Sequence, residues 1–196
     1  QNFSIALNAG ERLLITGASG IGKTSLLRAI AGLWTSGTGH VTRPGGKDIL
    51  FLPQRPFLTL GSLRENILYP KHDCASEHIT DEQVLAALDQ VNLSTVAQRM
   101  GGLNASGEVI GRRLSLGEQQ RLAFARLVMA RPKLVFLDES TSALDEENER
   151  LMYKVLSDLG TTYVSISNRG TLVKSHDSIL DLNSEGTWDV TVASKC

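Results

Sequence analysis

Gly17-Ala18-Ser19-Gly20-Ile21-Gly22-Lys23-Thr24 decides how this chain is read, with the apolar run Arg12-Leu13-Leu14-Ile15-Thr16 before it and Ser25-Leu26-Leu27-Arg28-Ala29-Ile30-Ala31 after it. The eight residues fit G-x-x-x-x-G-K-[ST] at every fixed position. Their flanks predict a short strand, a loop and then a helix to about Ala31. Glycines let the loop backbone curl so that successive N–H groups face one hollow, and the following helix N-terminus makes that hollow more positive. Residues Gly17 through Ser25 are thus the candidate phosphate cradle. Lys23 is placed to reach terminal phosphates, and the Thr24 hydroxyl is placed to sit on Mg²⁺.

Working outward, Phe3-Ser4-Ile5-Ala6-Leu7 alternates and predicts a strand entering a turn at Asn8–Glu11. Downstream, Gly32 and the Thr35–Gly39 cluster end the first helix. Ile49-Leu50-Phe51-Leu52 predicts a buried strand stopped by Pro53, and Ser62–Leu68 predicts two helical turns ended by Tyr69-Pro70. The polar stretch Lys71–Ile79 reads as loop. Thr80-Asp81-Glu82-Gln83 has capping-box spacing and opens a helix whose apolar face is Val84, Leu85, Leu88 and Val91. Gly101-Gly102 and Gly107 read as a further loop. Leu122-Ala123-Phe124-Ala125 and Leu127-Val128-Met129-Ala130 are apolar on all sides and predict a buried helix, ended by Arg131-Pro132. Leu134–Leu137 predicts a strand buried on both faces. A helix over Glu146–Leu159, a strand over Thr162–Ile166, and a closing hairpin of Ser178–Leu182 and Trp188–Val192 around Glu185-Gly186-Thr187 complete the pattern. Alternating strands and helices argue an α/β fold, and the consecutive middle helices argue a helical insertion.

With 196 residues, 41% apolar and 21% charged, the chain can build one good core. A net charge of −1 gives no support to a nucleic-acid or membrane-surface partner. No apolar run nears the roughly twenty residues that span a bilayer, and Gln1–Ser4 does not read as a leader. Cys74 and Cys196 show no metal-ligand spacing, nor do His40, His72, His78 and His176, and a reducing compartment is the simplest expectation. Lacking an initial methionine, the chain reads as an excised piece of something longer.

Two further stretches carry chemistry. Asp138 and Glu139 follow the Leu134–Leu137 strand, at the strand end where open α/β sheets bind ligands. Beside a phosphate loop, Asp138 is the candidate holder of the metal that Thr24 also touches, and Glu139 the candidate for orienting or deprotonating a water. Leu114-Ser115-Leu116-Gly117-Glu118-Gln119-Gln120-Arg121 has, taken alone, the form of a serine N-cap with a first-turn acid. It also resembles the signature motif of ATP-binding-cassette (ABC) proteins, usually Leu-Ser-Gly-Gly-Gln, with Leu116 and Glu118 in place of the usual Gly and Gln. In that family, residues at the positions of Ser115, Gly117 and Glu118 face the ATP held by a second subunit.

The resemblance covers essentially the whole chain. It implies that Gln54 is the Q-loop glutamine, a further Mg²⁺ or water contact, and that Ser142-Ala143-Leu144-Asp145 is the D-loop, with Asp145 toward the partner subunit. The residues around the signature, Ser140–Glu149 and the late Trp188 are most similar to the fatty-acyl (subfamily D) half-transporters and their bacterial relatives. The implied fold is a P-loop NTPase core: a mixed, mainly parallel sheet flanked by helices, with N-terminal antiparallel strands and an inserted α-helical subdomain. The implied limits are 1–58 and 119–196 for the core and 59–118 for the subdomain. The implied function is ATP binding and hydrolysis, driving a missing transmembrane domain through a head-to-tail pair of such domains. The domain would sit on the cytoplasmic or organelle-equivalent side of a membrane.

Two departures bear on this. Where the family has a switch histidine, the chain has Asn168 in Ser167-Asn168-Arg169, and an amide carries neither proton nor charge near neutrality. The adenine-stacking aromatic of the family lies upstream of the first strand here, and Phe3 is too close to the loop to replace it. Two alternatives stay open: a soluble ABC ATPase, and an ATP-gated module that hydrolyses weakly.

Overall fold

The computed structural model describes residues 3–34, 36–70, 78–104, 107–183 and 187–193. His72, Cys74, most of the 71–79 stretch, the Glu185-Gly186 turn and Cys196 lie outside the described residues. The chain packs as two compact units, one of residues 1–53, 132–139 and 160–196, the other of 54–131 and 140–159.

The first unit holds a six-stranded sheet of β1 (Arg12–Gly17), β2 (Ile49–Leu52), β3 (Leu134–Asp138), β4 (Thr162–Ile166), β5 (Ser178–Leu182) and β6 (Trp188–Val192), in the order β2-β3-β4-β1-β5-β6. The pairs β2–β3, β3–β4, β4–β1 and β1–β5 are parallel, and β5–β6 is antiparallel. Each of the five residues of β3 is buried, which is why Leu134–Leu137 reads as an unbroken apolar run rather than an alternating one. Leu27 of helix α1 (Lys23–Ile30) joins Leu13, Ile15, Phe136, Val164 and Leu180 in the core. The sheet is therefore mixed and mainly parallel with helices against it, as expected from sequence.

The N-terminal antiparallel strands are corrected. Phe3–Leu7 forms no strand, although Phe3, Ile5 and Leu7 pack against the core and Ser4 and Ala6 face out. The alternation reports one buried face, and both edges of β1 are already taken by β4 and β5. Phe3 packs edge-on to Trp188, ring centroids 5.2 Å apart. The antiparallel pair of this sheet is C-terminal.

His176 closes a short 3₁₀ helix (Gly170–Ser175) that leads from β4 back to β5. It is fully buried and meets the Tyr163 ring edge-on at 5.2 Å, while its Nδ1 donates to the Leu172 carbonyl at 2.7 Å. The Tyr163 hydroxyl donates to the Ser175 carbonyl. Burial pushes the imidazole pKa down to about 4, against a smaller opposing pull from the Leu172 hydrogen bond and Asp177.

The second unit is helical: α2 (Leu63–Leu68), α3 (Asp81–Gln90), α4 (Ser94–Met100), α5 (Gly107–Arg113), α6 (Leu116–Ala130) and α7 (Glu146–Asp158). The capping box at Thr80 and Gln83 is present, and Ser62 with Glu65 forms a second one. Val84, Leu88 and Val91 are buried as expected, whereas Leu85 is 42% exposed. Helix α4 fills a stretch to which the sequence reading gives no element, and α5 begins at a glycine read as loop. Gly101 adopts the left-handed C-cap of α4, and Gly107 opens α5 rather than ending a loop. Whole α6 and α7 pack with this unit. Inside it, buried Arg126 of α6 donates to the Asn66 carbonyl at 2.6 Å and lies over the Tyr69 ring.

The buried imidazole sets the direction of one pH response. Folded His176 stays neutral down to about pH 4, while the unfolded chain takes up a proton near pH 6.5. Its contribution is complete above the unfolded pKa and is lost as pH falls from 6.5 toward 4. Urea unfolding at pH 7 and pH 5 should show this group costing about 2 kcal/mol over that interval, a slope that His176→Gln removes. An identical loss in the variant would overturn the assignment.

Candidate functional site

At the end of β1 the chain turns into the phosphate loop at Gly17. Gly17 has φ +133°, and a Cβ there would lie 2.5 Å from the Leu182 carbonyl oxygen of the neighbouring strand. Only glycine fits both constraints. Ala18, Ser19 and Gly20 are exposed, and the loop closes on Gly22, the residue before α1. Lys23 is 6% exposed, and its ammonium donates to the Gly17 and Ala18 carbonyls at 2.7 and 2.9 Å. An ammonium has three N–H groups, so the two bonds that tie Lys23 to the loop leave one donor beyond them.

The Thr24 hydroxyl, one residue into α1, donates to Asp138 Oδ1 at 2.9 Å. Residues 114 positions apart in sequence thus meet as two adjacent hard-oxygen donors. Mg²⁺ is commonly held by one or two carboxylates together with phosphate oxygens, and this donor pair beside a glycine cradle fits that ion. Asp138 is buried at the last position of β3, paired in register with Ile166 of β4. Glu139 follows with φ +50°, a left-handed backbone uncommon for a side chain of its size, and its N–H donates to the Ile166 carbonyl at 3.2 Å. Strain of this kind gathers at functional positions. Glu139 is part-exposed, and Asn168 is exposed two residues beyond the end of β4.

The helical unit gathers the other candidates. Ser115 is the N-cap of α6, its Oγ accepting from the Glu118 N–H at 3.2 Å while Glu118 Oε2 accepts from the Ser115 N–H at 2.8 Å. The motif is therefore a capping box. A hydroxyl that caps through a lone pair still has its own O–H to donate, so the cap does not consume the donor expected at Ser115. Glu118 also accepts from Arg99 at 2.7 Å. Burial alone would raise its pKa, but the bonds from Ser115 and Arg99 outweigh it and hold the carboxyl below its usual range.

Ser115, Gly117, Glu118 and Arg121 line one open hollow with Ala143, Leu144, Asp145 and Asn148. Gly117 is there by close approach: a Cβ would lie 3.0 Å from the Ala143 carbonyl oxygen. Asp145 is the N-cap of α7, accepting from the Asn148 N–H at 2.8 Å. That backbone bond, with the one from the Asn148 side chain, lowers its pKa. Gln54 is exposed, and its carbonyl accepts from Gln120 Nε2 at 2.8 Å.

The structure thus brings Gly17–Thr24 and Asp138 together in one unit, with Glu139 next to Asp138 in the chain, and Ser115, Gly117, Glu118 and Asp145 together in the other. Sequence reasoning gave no role to Gln120 or Asn148. The signal for Gln120 was present: it is a polar residue on the face of α6 that also carries Phe124 and Leu127, and all three are fully buried.

Residues 1–142 match the ABC transporter family. The chain is 48% identical over 191 residues to an uncharacterized ABC transporter ATP-binding protein of Synechocystis, covering 97% of this chain and 28% of that protein. It is 42% identical to ABC transporter D family member 2, chloroplastic, of Arabidopsis thaliana, covering 93% and 32%. To the lysosomal cobalamin transporter of Homo sapiens it is 43% identical, covering 97% and 32%. The chain thus spans about a third of the length of these relatives. Among solved structures, a bacterial Atm1-family ABC exporter with ATP bound matches with a TM-score of 0.72 at 26% identity, over 88% of this chain and 32% of that one. The chain belongs to the ABC transporter family, as an ATP-binding domain similar to those of D-family members and their bacterial relatives.

Proposed function

We propose that this domain binds Mg²⁺·ATP and hydrolyses it to drive a half-transporter, acting as one of two such domains that close head to tail. The observation that carries the reading is the Thr24–Asp138 pair beside the buried Lys23 at the mouth of the glycine loop. When bound, Mg²⁺ supplies charge neutralisation on phosphate oxygens. Thr24 and Asp138 would hold it, and the resemblance adds Gln54. The backbone N–H groups of the loop bind the phosphates, and Lys23 shifts its donors from the loop carbonyls to the terminal phosphate oxygens. Glu139 orients a water by accepting its hydrogen bond at a carboxylate oxygen, and takes its proton. Ser115 Oγ–H and the Gly117 N–H donate to the nucleotide of the other domain, with Glu118 and Asp145 lining the same hollow. Most of this is positioning and charge stabilisation.

Membrane association follows from the same reading: a transmembrane domain on the full-length protein, with this domain on the cytoplasmic or organelle-equivalent side. Among the described residues no helix is long and apolar enough to cross a membrane. A second reading, an ATP-gated module with slow turnover, is favoured by Asn168, whose exposed amide replaces an ionisable imidazole at the end of β4.

Three substitutions in the full-length protein separate these possibilities. Lys23→Ala should weaken ATP binding by at least about tenfold, since it removes a charge-assisted donor; an unchanged affinity removes the phosphate-loop assignment. Glu139→Gln should keep ATP binding and lower kcat by about a hundredfold or more, and wild-type turnover in that variant would refute the role of Glu139. Asn168→His should raise kcat several-fold and add a pH dependence near the ordinary histidine range, about 6.5. If wild-type and Asn168→His turn over at the same rate, Asn168 has no part in the reaction.

A further inference from the structure

Gln120 is a fully buried amide in the first turns of α6. Its Nε2 donates to the Gln54 carbonyl at 2.8 Å and to Ser142 Oγ at 3.2 Å, and its Oε1 accepts from the Ala143 N–H at 3.0 Å. One side chain therefore ties two segments, the Gln54 segment 66 residues away and the Ser142–Asp145 loop entered 22 residues away, to the helix opened by Ser115 and Gly117. Gly117, one turn earlier, lets the helix approach the Ala143 carbonyl. These contacts lie wholly within the helical unit.

The chemistry requires an amide. The partners have opposite polarity, a carbonyl that needs a donor and an N–H that needs an acceptor, and Gln supplies both from one planar group. Glutamate would keep the acceptor and set a carboxylate against the Gln54 carbonyl. Methionine would keep the shape and leave buried groups unpaired. A second buried polar cluster on α6, Arg126 with Asn66 and Tyr69, is a packing device by contrast: it ties α2 to α6.

We propose that Gln120 is a positioning residue for the ATP hydrolysis assigned above, fixing the backbone at Gln54 and at Ser142-Ala143 in register with Ser115 and Gly117. The inference rests on that functional reading. Because the three segments share one hub, a displacement of any of them is transmitted to the other two. The metal-side glutamine and the partner-side loop then act together with the signature helix.

The test uses the full-length protein with Gln120→Glu, Gln120→Met and the milder Ser142→Ala. Thermal unfolding, binding of a fluorescent ATP analogue, steady-state kinetics and peptide-level hydrogen exchange are measured on each. Gln120→Glu should lower kcat about tenfold or more, with KM and nucleotide affinity within about twofold of wild type, because the phosphate loop, Lys23, Thr24 and Asp138 are left untouched. Exchange should quicken both around Gln54 and around Ser142–Asp145. Gln120→Met should show the same exchange changes and a similar kcat loss. Ser142→Ala should lose about threefold in kcat, the effect of one neutral hydrogen bond, with faster exchange over its own loop. The proposal fails if folded Gln120→Glu keeps wild-type kcat, or if its activity falls only in proportion to the folded fraction. Should Gln120→Glu and Gln120→Met not fold, an unaltered kcat in Ser142→Ala overturns it. A wild type that binds ATP without turning it over overturns the hydrolysis reading, and the proposal with it. That outcome differs from an active wild type whose Gln120 variants are equally active.

Discussion

Parallel pairing of β1 with β4, and of β4 with β3, sends the C-terminal ends of all three strands to one edge of the sheet. The phosphate loop and the Thr24–Asp138 pair proposed for the nucleotide and its metal depend on that constraint. In an antiparallel arrangement Gly17 and Asp138 would leave at opposite edges, and the 2.9 Å bond from Thr24 to Asp138 could not form. The sheet is held to this geometry by burial: Leu13, Ile15, Phe136, Val164 and Ile166 are all fully or nearly fully withdrawn from water. At about 25 cal/mol per Å² of apolar surface removed from water, a slipped strand exchanges that face for solvent and is strongly disfavoured.

The helical unit solves a different problem with different means. Its candidate residues come from the start of α6, the start of α7 and the chain after Pro53, and no sheet ladder aligns them. Two helix caps and one buried amide do so instead. The caps at Ser115 and Asp145 satisfy orphan N–H groups and, in doing so, fix where two helices begin on the wall of a common hollow. Local stability and site geometry are thus met by the same hydrogen bonds.

Much of this was legible because it is local. The phosphate loop announces itself by glycine spacing and a lysine, and β3 by a continuous apolar run that only a doubly covered strand tolerates. The alternation over Phe3–Leu7 misled because period two reports which side chains are buried, not whether the backbone has a partner. Helices α4 and α5 were hidden by Gly101, Gly102 and Gly107. Glycine at a helix end is cheap, and the same residue in a window average reads as a loop. The hub at Gln120 was hidden for another reason. Its partners are far away in sequence, and nothing in the neighbourhood of a glutamine tells which carbonyl it will meet. The role given to Glu139 was legible from its place after β3, but its left-handed backbone was not.

That backbone has a consequence of its own. A residue with a Cβ at φ +50° sits about 1 kcal/mol or more above the same residue in a relaxed conformation, a penalty glycine escapes. The backbone at position 139 thus favours glycine, yet the chain carries a carboxylate there. The fold carries a small standing deficit at the very residue to which proton transfer is assigned, and the surrounding sheet has to be firm enough to hold it. Stability and chemistry pull against each other at a single α-carbon.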